Sequence, residues 1–212
     1  MRIASLLCSS MVSWCALTSL ALADTIQVPL VFHVAEIEGK PVADEAFLQD
    51  QLEHANVIYR PLGFELAVVG RRKLAASHAR LVDRGDRDAL QASLRTGVIN
   101  AFIVAQLMDV DEPGRERKGV HWRVRKKPSD HFVVVSIISF PYVLAHELGH
   151  FFGNQQHSDV PGNLMCYERT EAVPFLDESQ QERVIQTIRA MFASRELRTV
   201  TKSPNVATER RR

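Results

Sequence analysis

The chain has 212 residues, 46% of them hydrophobic and 24% charged, which is enough apolar side chain for a real core and too little length for more than one or two domains. That balance excludes a disordered or fibrous protein. With 26 basic against 25 acidic side chains the net charge is +1, so the overall electrostatics favour neither nucleic acid nor an anionic membrane surface.

At the N-terminus Arg2 precedes an uncharged apolar stretch, Ile3 to Ala23, that ends Leu20-Ala21-Leu22-Ala23 before Asp24. Small residues at 21 and 23 after such a run read as a signal peptide over residues 1–23. The stretch could span a bilayer, but five serines dilute it and no stop-transfer cluster of charges follows, so no stable membrane insertion is expected after cleavage. Cys8 and Cys15 would leave with this segment, and residues 24–212 then hold one cysteine, Cys166, and no disulfide. A chain exported without paired cysteines suggests bacterial secretion to the periplasm or medium, as a monomer whose core stands without staples.

The β-branched run Ile26–Ala35 predicts a core strand, with Pro29 best placed at its start or edge. Asp44 caps a helix whose apolar residues Leu48, Leu52, Ala55 and Tyr59 share one face, and Pro61 and Gly63 stop it. Phe64–Gly70 reads as a second strand, Arg87–Leu94 as a helix ending at Gly97, and Val98–Leu107 as a third strand. Residues 109–130 read as a loop around a short edge strand, Gly119–Val124, with seven basic residues between Arg115 and Lys127 against the single acid Glu116. His131–Ser139 is a buried strand, Pro141 starts a helix running to Phe152, and Gly153 stands at its stop. Asp177, with Gln180 at the capping-box position, opens a final helix carrying Val184, Ile185, Ile188 and Met191; residues 201–212 form a basic, flexible tail. Alternating strands and helices followed by an irregular stretch suggest an α/β upper half and a loop-rich lower half.

His146-Glu147-Leu148-Gly149-His150 is an H-E-x-x-H motif on the predicted helix. Positions i and i+4 share a helical face, so both imidazoles can reach one ion while Glu147 stands beside them and can hold its water. Gly153 and His157 follow, with Met165 eight residues further on, in HELGHFFGNQQHSDVPGNLMCY. Residues 141–167 thereby resemble the metzincin clan of zinc metallopeptidases, whose pattern is H-E-x-x-H-x-x-G-x-x-H followed by a methionine turn.

The resemblance implies a fold and a site. The fold is an α/β (α+β) catalytic domain over residues 24–200, with a twisted, mostly parallel sheet, an antiparallel edge strand, an active-site helix and a C-terminal helix. The site holds one catalytic Zn2+ on His146, His150 and His157, with Glu147 as general base, Met165 as a floor beneath the histidines and Tyr167 as a possible donor to the transition state. Tyr167 could equally be an ordinary packed tyrosine of the turn. Peptide or protein substrates would pair with the edge strand, and a basic loop on the rim would favour acidic ones.

One position departs from the clan: its third ligand stands where this chain has Gln156, and His157 is one place late. Imidazole is the better zinc ligand, so His157 is preferred. Two other readings stay open, a gluzincin-type site with Glu168 or Glu171 as third ligand and a zinc-binding interaction protein without turnover. His33, His54, His78, His121 and His131 stand at no ligand spacing and read as structural or surface residues; Asp109, Asp111 and Glu112 read as a solvated acidic loop rather than a calcium site. Cys166 reads as a small buried side chain.

Overall fold

The computed structural model describes residues 25–200; the expected signal peptide over 1–23 and the basic tail over 201–212 lie outside the described residues. Strand β1 (Ile26–Ile37) and the short β2 (Lys40–Pro41) lead to helix α1 (Glu45–Tyr59) and strand β3 (Phe64–Leu74). Then come β4 (Arg80–Leu81), α2 (Arg84–Ala89), β5 (Ile99–Val104), β6 (Gln106–Leu107), β7 (Gly119–Arg123) and β8 (His131–Ser136). Helices α3 (Val143–Phe151) and α4 (Glu178–Ala193) complete the order.

The main sheet runs β3-β1-β5-β8-β7, with β2 folded back on the end of β1. Strands β3, β1, β5 and β8 are parallel and β7 is antiparallel to β8, so the mostly parallel sheet with one antiparallel edge strand is the fold class expected. Pairing of β1 with β5 begins at Leu30, which leaves Pro29 where β1 has β3 as its only neighbour and a missing N–H costs least. One apolar face of the sheet packs on α1, α3 and α4 around Phe32, Tyr59, Leu144 and Phe152. The other buries Phe102, Phe132, Leu81 and Leu90 under the short elements between β3 and β6.

Several boundaries differ from expectation for identifiable reasons. β3 continues through Arg71, Arg72 and Lys73 to Leu74, because an edge strand can turn charged side chains to solvent. The second helix starts at Arg84, where Asp83 and Asp86 form a capping box, and its expected C-terminal part is a 3-10 turn over Leu90–Ser93. The third strand breaks after Val104, and Gln106–Leu107 pairs with β4 in a separate two-stranded sheet. β8 ends at Ser136 rather than Ser139, because the chain turns there and the Ser139 amide donates to the Ser136 carbonyl at 3.0 Å. Asp44 and Asp177 do cap α1 and α4, the latter through a capping box with Gln180.

The start of α3 matters most, since this helix carries the motif. It begins at Val143 rather than Pro141, because Tyr142 takes left-handed backbone with φ 68° and offers no capping side chain. α1 fills the gap: Gln51 Oε1 accepts from the Leu144 amide at 3.1 Å and Gln51 Nε2 donates to the Phe140 carbonyl at 2.9 Å. The buried Tyr59 hydroxyl donates to the Ala145 carbonyl at 2.8 Å. α3 is therefore fixed against α1 by polar contacts inside an apolar interface, which sets its height and rotation under the sheet.

Candidate metal centre

Helix α3 turns His146 and His150 to one side, and Gly153, with φ 101°, lets the chain leave the helix by a left-handed turn. The following loop returns His157 to the same place. Nitrogen atoms of His146, His150 and His157 all lie within 4.8 Å of one another, and His150 Nε2 is 3.1 Å from His157 Nε2. Among the described residues these three form the only group of His, Cys, Asp or Glu whose ligand atoms converge in this way. Neither Glu168 nor Glu171 joins them, and Gln156 is exposed. Asp109 is instead occupied with the amides of Asp111 and Glu112 and with Arg117, and those hydrogen bonds hold its carboxyl down to about 2.

Two of the three imidazoles are oriented from behind. His146 Nδ1 lies 2.7 Å from the Leu164 carbonyl and His150 Nδ1 2.7 Å from the Asn154 carbonyl. A carbonyl only accepts, so Nδ1 must donate, and in the neutral ring Nε2 is left with a free lone pair aimed at the cluster. Burial, then the neighbouring histidines, hold His146 down to about 3; burial also holds His150 down to about 4 and lowers His157. All three are thus neutral near pH 7, the form that binds a metal ion.

Glu147 sits on α3 beside this cluster, 7% exposed, and burial pushes its carboxyl up to about 8 against a hydrogen bond from the backbone of His121. Its neighbour across the cleft is Gly119, the first residue of β7. A Cβ there would stand 2.8 Å from Glu147 Oε1 and 2.7 Å from Val143 Cγ1, so only glycine lets the edge strand approach the carboxylate this closely. Gly149, the fourth residue of the motif, answers to the same rule. A Cβ there would meet Met165 Sδ at 2.5 Å, because the wholly buried Met165 packs directly against the helix backbone under the histidines. Neither glycine contact is visible in the motif itself. The signal available was a glycine inside a predicted strand and another inside a predicted helix, where its loss of chain entropy demands a packing reason.

Tyr167 is 66% exposed and is not packed into the turn; its ring lies 4.2 Å from that of His157 and 6.1 Å from that of His146. Cys166 is buried and accepts from the Glu168 amide at 3.3 Å, outside the histidine group. His33 is a buried partner of Asn100, as a structural residue should be. His121 stands outside the histidine group, lines the cleft and is hydrogen-bonded to His131, which in turn meets Glu196.

The cluster opens on a cleft of about 920 Å³. Its walls run from Lys118, Phe140 and Arg169 at one end of β7 to Trp122, Arg87 and Arg125 at the other, and β7 forms its upper rim with one sheet edge unpaired. The donor set fits a zinc ion: three neutral nitrogens from separate positions, two of them oriented by carbonyls, with a fourth side facing open space.

No protein-family model and no curated protein matches the sequence. Solved structures do resemble it. Metalloproteinase-II from Bacteroides fragilis aligns with a TM-score of 0.55 at 16% identity, over 77% of this chain and 53% of that one. Mature mirolysin from Tannerella forsythia, in complex with a cleaved peptide, aligns with a TM-score of 0.59 at 12% identity, over 81% of this chain and 98% of that one. The chain therefore spans about half the length of the Bacteroides protein, and the likeness at these identities is one of fold.

Proposed function

We propose that this chain is a zinc-dependent endopeptidase, exported from a bacterial cell and acting on peptide or protein substrates. The observation that carries the reading is the convergence of three neutral imidazoles on one point beside a buried carboxylate, at the floor of a cleft roofed by an edge strand with one side unpaired. His146, His150 and His157 would hold the ion, which when bound acidifies a water and polarises a carbonyl.

The chain's own groups supply the rest. An extended peptide adds antiparallel to β7 through backbone hydrogen bonds, which lays the bond to be cut across α3. Glu147 accepts a proton from the attacking water and delivers it to the leaving amine. A carboxyl raised toward neutrality by burial is suited to both steps, and a cation at the histidines favours its ionised form. The Tyr167 hydroxyl, free at the rim, donates to the negative charge that develops on the carbonyl oxygen. Walls continuing past the histidines at both ends suit a bond in the interior of a substrate. No helix among the described residues is long and apolar enough to cross a membrane.

The test is Glu147→Gln, which keeps the shape against Gly119. Hydrolysis of a peptide library by the zinc-loaded chain should fall by ~10²–10⁴-fold, while metal content stays near that of the wild type. A zinc-loaded wild type that cuts nothing would favour a binding protein instead.

A further inference from the structure

Three segments remote in sequence bring two cations to one end of the cleft. Lys118, immediately before β7, places Nζ 4.2 Å from the centroid of the Phe140 ring, and Arg169, in the loop beyond Met165, places Cζ 5.9 Å from the same centroid. Phe140 is 47% exposed, so its ring is a platform on the cleft wall, not part of the core. Nearby Arg115 and Arg117 are neutralised by Glu112 and Asp109. Lys118 and Arg169 have no carboxylate ion-pair partner among the described residues. Both cations lie against the same exposed ring with no carboxylate to answer them, so an anionic side chain at this ring would supply a counter-charge.

The place of this pair along the cleft follows from strand direction. Gly119, next to Lys118, is the residue in contact with Glu147, and Arg169 lines the same cleft as Glu147. A peptide antiparallel to β7 runs with its C-terminal end toward Lys118 and its N-terminal end toward Arg123. The Phe140 platform therefore faces the residue just after the bond that Glu147 attends.

We propose that Lys118, Phe140 and Arg169 form a specificity subsite for an acidic side chain, aspartate or glutamate, immediately C-terminal to the scissile bond. The inference rests on the peptidase reading above and sharpens it. Arg169 offers a planar fork to the carboxylate, Lys118 a point charge, and the Phe140 ring the apolar surface for the methylenes. The acidic preference is thus local: of the basic loop's seven cations, only Lys118 takes part in this subsite.

The experiment uses three peptides identical except for glutamate, glutamine or lysine after the bond that is cut. With the zinc-loaded wild type, kcat/KM should rank glutamate over glutamine over lysine, glutamate leading glutamine by ~10-fold. Arg169→Glu should reverse the order, and Lys118→Gln should narrow it. Calorimetric binding of the same peptides to Glu147→Gln protein should give the same ranking without turnover. Equal treatment of the three peptides in both assays, or an order unchanged in Arg169→Glu, would overturn the subsite. Ranked binding with no cleavage by the wild type would leave the subsite standing and remove the peptidase reading.

Discussion

The sheet with α1 and α3 and the stretch between Gly153 and Leu176 are held by different forces. The first is apolar: Val28, Leu30, Phe32, Ile99, Ile103 and Val133 are buried completely, with Leu144 and Leu148 of α3 packed against them. The second has no helix or strand and is pegged by buried amides. Asn163 donates to Gln180 Oε1 at 2.8 Å and accepts from the Met165 amide at 2.8 Å, while Asn154 accepts from Arg183 at 2.8 Å. The carbonyls that orient His146 and His150 belong to this second region. Hydrophobic burial, together with the Gln51 and Tyr59 hydrogen bonds from α1, fixes where α3 lies, and the polar pegs from α4 fix which way its imidazoles face.

The contrast can be broken from either side. Phe32→Ala empties a fully buried site in β1 and should cost about 3–5 kcal/mol in chemical denaturation, with the folded fraction still binding metal at wild-type strength. Asn163→Ala strands the buried Gln180 amide and the Met165 N–H, costing about 1–3 kcal/mol. Because it loosens the loop behind His146, it should also weaken zinc affinity by ~10–100-fold in competition titrations. If Asn163→Ala changes stability but not zinc affinity, the division of labour fails. At the surface, Arg60 forks between Glu53 and Glu65, and Arg60→Ala should cost no more than about 1 kcal/mol in thermal unfolding, with metal binding unaltered.

The same contrast explains what the sequence discloses. Burial by periodic elements leaves a periodic trace, so β1, α1, β8 and α4 are legible from β-branched runs, helical spacing and the caps Asp44 and Asp177. The histidine spacing is legible because a helix places i and i+4 together and Gly153 marks the exit. Contacts between remote segments leave no such trace. That Gly149 makes room for Met165, that Gly119 makes room for Glu147, and that Lys118 and Arg169 meet over Phe140 all depend on where three separate chain segments come to rest. β3 ran past its expected end because edge position overrides charge, which only the sheet order reveals. His121 enters the cleft because β7 lies over α3, which spacing alone does not report.

The central claim is that His146, His150 and His157 together bind one zinc ion. Zinc content of the purified chain, compared among wild type, His157→Ala and Gln156→Ala after dialysis against a weak chelator, tests it most directly. The account predicts near-stoichiometric zinc in the wild type and in Gln156→Ala and its loss in His157→Ala. Zinc retained in His157→Ala but lost in Gln156→Ala would contradict it.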